Sequence, residues 1–506
     1  MSKLLRRGRL GTARKDVVKF TSSIESDKRL LKSVIRISRA HVVMMMEQKI
    51  IGWSDGVKLL QALSEVEAAK LNLSLEDIHV SIEEEVIKKA GPEIGGNINI
   101  GKSRNDQVSA AIRMELRENL IHLMALAIKL QEELINLARG HIETVFPGYT
   151  HLQLAQPVTF AHYLLSQVDM FERDLNRLEE AYQRINLCPM GAVALATTSF
   201  PINRERVAEL LGFSRLLENS IDAVSSRDFI LETMAHLAVT AVGISRLAED
   251  LILWSSSEFG IVELPDGFSS TSSIMPQKKN AEVLEVVRAR ASQIVGNFVA
   301  STITLKALPS TYNLDFQEVT PRLWDSLESI SGSLDMLSKL IPHVKVAKNA
   351  FDKPFLGFST STELANMLVR KHKIPFRTAH KIVGSLVKNL IENKLTLFDV
   401  TPELLQAVAR DSCGFSLNVN LEDIRESTEP LEFVKAHDVT GGPSPNQVKK
   451  MLRVRKRWTV LSRSRLSEKK SKLDEAENML ESVVESCLFS DSLNSAKLKS
   501  SSGQVV

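Results

Sequence analysis

The segment Thr271-Ser272-Ser273-Ile274-Met275-Pro276-Gln277-Lys278-Lys279-Asn280 crowds hydroxyls, two lysines and an amide into a stretch that no apolar core would accommodate. Leu264-Pro265-Asp266-Gly267 breaks the chain before it, and Ala281-Glu282-Val283-Leu284-Glu285-Val286-Val287 resumes a helical pattern after it. The peptide therefore reads as a loop delivered to a helix start. With Asn280 as the cap, free backbone N–H groups and the Lys278 ammonium converge where a carboxylate or phosphate would bind. The competing reading is a solvated basic loop with an ordinary cap.

Two further polar clusters invite chemistry. Lys102-Ser103-Arg104-Asn105-Asp106-Gln107 sets a cation, hydroxyl, amide and carboxylate directly before an apolar helix. Asp106 suits the cap or first turn and Arg104 a bidentate clamp on a carboxylate, although a capped start with surface charges would look the same. In Pro147-Gly148-Tyr149-Thr150-His151-Leu152-Gln153-Leu154-Ala155-Gln156-Pro157 only His151 exchanges protons near neutral pH. A lone histidine is more often structural; Thr150, Gln153 and Gln156 raise its value, because their hydrogen bonds can orient a substrate and select a tautomer. Gly96-Asn97-Ile98-Asn99-Ile100-Gly101-Lys102-Ser103 satisfies the P-loop pattern, but the stretch before it, Ile82 to Ala90, is helix-like. Without a parallel sheet behind the loop the motif is refused, and its glycines are read as releasing one helix into the next.

Long helices must position these clusters. Ile112, Leu116, Leu120, Leu123, Ala127, Leu130, Leu134 and Leu137 advance by threes and fours, as do Ile230, Met234, Leu237, Ala241, Ile244, Leu247, Leu251 and Trp254. Residues 156–187 and 281–304 supply further rods, the latter weakened by Gly296 and Thr302 to Thr304. The spacing predicts an all-α fold around a bundle of long helices. Four parts are expected: 1–110, a mainly helical first domain bearing part of the site; 111–355, the bundle; 356–455, a small helical domain following the break at Phe351-Asp352-Lys353-Pro354; and 456–506, a charged, serine-rich, partly disordered tail. No repeat at a fixed period suggests a solenoid.

Composition excludes several partners. Over 506 residues, 64 Lys plus Arg against 61 Asp plus Glu leave a formal charge of +3, too slight to imply nucleic acid. The basic runs Lys3 to Arg9 and Arg453 to Arg457 lack interleaved aromatics. Cys188, Cys413 and Cys487 show neither CxxC nor zinc spacing, which suits a reducing compartment. No apolar run follows the charged N-terminus, and none approaches eighteen residues. A cytoplasmic protein that binds neither membrane nor nucleic acid is expected.

Taken together, the three clusters resemble the argininosuccinate lyases of the fumarase/aspartase superfamily. Met275-Pro276-Gln277-Lys278-Lys279-Asn280 matches the signature loop, and Ser103-Arg104-Asn105-Asp106-Gln107 and Gly148-Tyr149-Thr150-His151-Leu152-Gln153 match two other regions. Thr198 to Arg204, Asn219 to Val224, Pro309 to Asn313, Ile374 to His380 and Gly441-Gly442 extend the resemblance over roughly residues 15–455. It implies a homotetramer with a twenty-helix core and active sites shared between subunits. The implied reaction is the reversible β-elimination of argininosuccinate to arginine and fumarate, with no metal or organic cofactor. Ser272 resembles the base, Lys278 the cation facing the aci-carboxylate, and Asn280 a carboxylate ligand. His151, paired with Glu285 of another subunit, resembles the group serving the departing nitrogen. Ser38, Arg104, Asn105, Thr150, Tyr312 and Gln317 match substrate-binding positions.

The match departs at several points. Thr271 stands for a glycine and Ala281 for a proline at the loop's edges, Lys102 for an arginine, and Val34-Ile35-Arg36-Ile37-Ser38 for Asp-Ile-x-Gly-Ser. Leu314 and Thr320 stand where the family supplies positive charge, so a substrate contact is lost. A fumarate-releasing lyase of other specificity and a noncatalytic helical homologue are the alternatives. Adenylosuccinate lyase is disfavoured by Gln277-Lys278-Lys279.

Overall fold

The computed structural model describes residues 11, 13–68, 75–347 and 357–501. The Lys3 to Arg9 run and the Phe351 to Pro354 break lie outside them. After two short helices come α1 (Leu31–Glu47), α2 (Trp53–Ala68) and α3 (Ile78–Ala90). α1 is buried on every face from Ser33 to Met46. Asp77 caps α3 by accepting from Val80 N at 2.8 Å, which fixes its carboxylate.

Five long helices follow: α4 (Arg104–Arg139), α5 (Phe160–Ile185), α6 (Asp228–Ser255), α7 (Glu282–Leu305) and α8 (Phe316–Leu340). α4 packs on α5 and α8, while α6 packs on α5, α7 and α8. Their core is the two predicted stripes. Every α6 position named above is buried, and so is every α4 position except Leu137, which is half-buried. α7 runs on through Gly296 and its threonines because Thr302 Oγ1 and Thr304 Oγ1 each donate to the carbonyl four residues back, at 2.9 Å, so neither hydroxyl competes for helix donors. α5 starts at Phe160 because residues 153–159 are spent in a hairpin. The P-loop pattern is a turn between helices: α3 precedes it and a 3-10 turn, Gly96–Asn99, fills it.

Two arginines inside the bundle clamp α4 to the end of α5. Arg113 donates to the carbonyls of Arg184 and Ile185 at 3.0 and 3.3 Å and stacks over Phe229. Arg117 donates to Asn186 Oδ1 at 2.9 Å and to the carbonyls of Gly212 and Leu211, over Phe213. Burial pulls both guanidinium pKa values down to about 10, so both remain charged at neutral pH. Arg117→Ala is expected to cost on the order of 3 kcal/mol, since one buried and two partly buried acceptors lose a charged donor together. Chemical denaturation would show it as a lower midpoint.

Beyond the bundle, α9 (Ser361–His372), α10 (Phe376–Glu392), α11 (Pro402–Cys413) and α12 (Leu421–Thr428) enclose a core of their own around Leu368, Ile382, Leu386, Leu405 and Ile424. A single helix, α13 (Pro445–Ser501), carries the chain from the small domain back along the bundle, and residues 502–506 of the expected tail lie outside the described residues. Leu473, Ala476, Leu480, Val484 and Cys487 recur by threes and fours and are buried. Its charges are used in pairs, Lys32 with Glu477 at 3.0 Å, Arg39 with Glu481 at 2.9 Å and Arg455 with Asp169 at 2.7 Å. Among the described residues no helix is long and apolar enough to cross a membrane.

Candidate active site

A pocket opens where the N-terminal segment, the start of α3, the start of α4 and the start of α8 meet, lined among others by Asp27, Asp77, His79, Arg104, Asn105, Arg227, Tyr312 and Gln317. The α4 start is built by a capping box. Ser103 accepts from Asn105 N, and Asp106 Oδ1 accepts from Ser103 N at 3.0 Å. Asp106 is a structural acid: its Oδ2 accepts from Gly191 N and Val193 N at 3.1 and 2.8 Å, and burial raises its pKa to about 6. Arg104 therefore leaves the first turn at a fixed angle, and its Nη1 meets Asp77 Oδ2 at 2.6 Å. Asn105 is held by the Ala194 carbonyl at 3.1 Å. Gln317 Nε2 donates to Tyr312 Oη at 3.4 Å.

The pocket thus gathers four of the expected binding residues: Arg104, Asn105, Tyr312 and Gln317. Ser38 is not among them. It is buried on α1, where its hydroxyl accepts from Lys102 Nζ at 3.3 Å. Sequence reading missed Ser23, Asp27, Asp77, His79 and Arg227. The available signal was Asp77-Ile78-His79 opening a helix and the Ser23/Asp27 pair one turn apart. Ser23 Oγ donates to Asp27 Oδ2 at 2.6 Å, and burial lifts the Asp27 pKa to about 6. Burial depresses His79 instead, holding a neutral imidazole whose two nitrogens have no partner among the described residues.

The His151 cluster is an antiparallel hairpin, Val145–Thr150 with Gln153–Thr159. Gly148 sits where the register shifts, and a Cβ there would meet Gln156 O at 2.5 Å. His151 and Leu152 form the tip, both at φ 55°, a turn that ordinarily selects Asn-Gly. Holding two such side chains in the left-handed region costs about 1–3 kcal/mol each, a strain that places the imidazole at an exposed apex.

The 271–280 loop is closed by a second hairpin, Ser270 pairing Asn280 and Thr271 pairing Lys279. This corrects the expected cap. Asn280 is extended, its Nδ2 donating to Ser270 Oγ at 3.4 Å, and α7 begins after Ala281 with no side-chain cap. Within the loop Ser272 Oγ accepts from Ile274 N and Met275 N at 3.1 and 3.0 Å. The two lysines differ in use. Lys279 Nζ is tied to Asp266 Oδ1 at 2.6 Å, whereas Lys278 forms no ion pair among the described residues. Lys278, His151, Thr150 and, in the first turn of α7, Glu285 are exposed. Within one chain Ser272, Lys278, His151 and Glu285 do not line the Arg104 pocket. Among the described residues no cluster of His, Cys, Asp and Glu is arranged to hold a metal ion.

The family model described as "Lyase" matches residues 12–296, more than half of the chain, and that described as "Argininosuccinate lyase C-terminal" matches residues 358–441. The argininosuccinate lyase of Methanocaldococcus jannaschii is 45% identical over 484 residues, covering 94% of this chain and 99% of the relative. That of Methanosarcina mazei is 41% identical over 490 residues, covering 96% and 99%. Among solved structures, an EDDS lyase in complex with formate superimposes with a TM-score of 0.86 at 31% identity, covering 96% of this chain and 98% of that one. A class II fumarase from Schistosoma mansoni shares the fold alone, with a TM-score of 0.71 at 16% identity over 86% of this chain and 99% of the fumarase.

Proposed function

The chain belongs to the argininosuccinate lyase family of the fumarase/aspartase superfamily, and we infer from that membership that it catalyses the reversible β-elimination of argininosuccinate to L-arginine and fumarate. The observation that carries this reading is the match along nearly the whole length of relatives of that activity. Ser272 takes the proton beside a carboxylate. Its two backbone donors favour the charged oxygen that a base requires. Lys278, which forms no ion pair among the described residues, meets the charge that builds on the substrate's aci-carboxylate, and Asn280 holds that carboxylate. His151, oriented by Glu285 of another subunit, serves the departing guanidinium nitrogen. Asn105, Thr150, Tyr312, Gln317 and Arg104 hold the substrate.

A tetramer would bring these parts together. The five bundle helices α4 to α8 make twenty in four chains, and Val239, Val242, Val286, Val299 and Ile303 leave apolar surface uncovered on α6 and α7. Purified protein incubated with argininosuccinate is expected to release fumarate, followed by its ultraviolet absorbance. No release above a Ser272→Ala control would overturn the reading. The likeness to the EDDS lyase favours one second reading, a fumarate-releasing lyase for another succinyl adduct. Fumarate formed only from such an adduct would establish it.

The raised Asp27 pKa gives a pH signature. A carboxyl with a pKa near 6 is ionised at pH 8 and largely protonated at pH 5, so a substrate ammonium loses its counter-charge as pH falls. KM is expected to rise through an apparent pKa of about 6 on acidification. In Asp27→Asn that inflection should vanish, with KM high throughout.

A further inference from the structure

The segment after the Leu187–Cys188 strand takes left-handed backbone at Gly191, φ 80°, at Val193, φ 57°, and at Thr197, φ 61°. For glycine that is ordinary. For a β-branched side chain it is an outlier, which persists only where the surroundings over-determine it. Buried Asp106 supplies one restraint, accepting from Gly191 N and Val193 N at 3.1 and 2.8 Å. Thr197 N donates to Ala192 O at 3.0 Å and closes the loop, while Ser220 Oγ donates to Leu195 O at 2.7 Å. Ala192 is sealed against Ala223 and Val224. Between these restraints Ala194 sets its carbonyl on Asn105 Nδ2 at 3.1 Å. A carbonyl only accepts, so it decides which way round the Asn105 amide sits. Oδ1 and the second N–H of that amide are left without a partner among the described residues.

We propose that Val193 and Thr197 are positioning residues: their left-handed backbones turn the Ala194 carbonyl onto Asn105 and lock its amide in the one orientation that meets substrate. The inference rests on the lyase reading above, in which Asn105 holds the substrate. Neither residue lines the Arg104 pocket, so both act through Asn105. The role belongs to the backbone. Extended or right-handed conformations at 193 and 197 would carry the Ala194 carbonyl elsewhere, and the Asn105 amide would then divide its time between two orientations.

A double-mutant cycle on the full-length protein, read as KM for argininosuccinate, tests the assignment. Thr197→Pro cannot reach a positive φ and lacks the N–H that meets Ala192. Its KM is expected to rise at least about fivefold, the worth of one neutral hydrogen bond, with kcat within about threefold of wild type. Added to Asn105→Ala, whose own KM is raised, the same substitution should change KM by less than about twofold, because the residue it acts through is gone. Val193→Gly and Thr197→Gly adopt the left-handed backbone without strain and should keep KM within about twofold of wild type. An unchanged KM in Thr197→Pro, independent effects of Thr197→Pro and Asn105→Ala, or glycine variants as damaged as the proline variant overturn the proposal. Should Thr197→Pro fail to fold, Ser220→Ala decides, since it frees the Leu195 carbonyl from an exposed position. KM should then rise at least about twofold in the wild-type background and not in Asn105→Ala, and any other pattern overturns the proposal. Fumarate release by wild type is scored separately, so failure of the reaction assignment is distinguishable from failure of the positioning assignment.

Discussion

Ser272→Ala is expected to lower kcat for fumarate release by roughly 10²–10⁴-fold, the range for removing a positioned proton-transfer group, with KM little changed. The hydroxyl lies beside the backbone of its own loop, where Ile274 N and Met275 N both point at Oγ. Such donors lower the energy of an oxyanion more than that of a hydroxyl, and closure of the loop over substrate would remove the water that competes for them. The same bonds also brace the turn, which offers a purely structural account of Ser272. The two are separable. A bracing residue would alter loop order, and hence KM and kcat together, whereas a base leaves argininosuccinate binding intact in calorimetry of the inactive variant. Weakened binding in proportion to lost turnover would remove Ser272 from the chemistry.

Mixing two inactive variants should regenerate activity. His151 tops a hairpin, Glu285 opens α7, and both face solvent within one chain. If each site takes the imidazole from one subunit and the carboxylate from another, His151→Asn and Glu285→Ala fail separately by different routes. When tetramers are dissociated and reassembled from equal amounts, each contributor is intact half the time, so about one quarter of the sites recover both. The measurement is fumarate release by the mixture against either parent treated alone. Activity no higher than the parents would mean that both groups come from one chain or that one of them has no role.

The rods were legible because burial on a helix imposes a period, and the α4 and α6 stripes carry it for more than six turns. Ser272 and Lys278 stood out because a polar loop between helices has few structural uses. The hairpin under His151 was not legible: its tip carries His-Leu where local preference asks for Asn-Gly, so tertiary structure imposes a turn that the local sequence argues against. Asn280 looked like a cap because caps are read from residue type, and pairing with Ser270 took it into a strand. Arg227 and Asp77 escaped for another reason. Each lies beside a helix start, where charge is ordinary, and only the fold brings them into one pocket. The tail read as charged and serine-rich with one helix around Leu473 to Val484, since periodicity at wide intervals among lysines and glutamates is faint until partners on α1 and α4 give it a surface.

That last helix has a consequence for how the protein is made. α13 lies against α1, α2, α4 and α5, all completed hundreds of residues earlier during synthesis. Arg39 meets Glu481, and Lys32 meets Glu477, only after residues 477–481 have been translated. The N-terminal helices therefore emerge from the ribosome with an open seam, and cooperative closure waits for α13. A frameshift or stop codon before α13 would leave every side chain of the proposed site encoded and still yield a polypeptide whose first domain is unfinished.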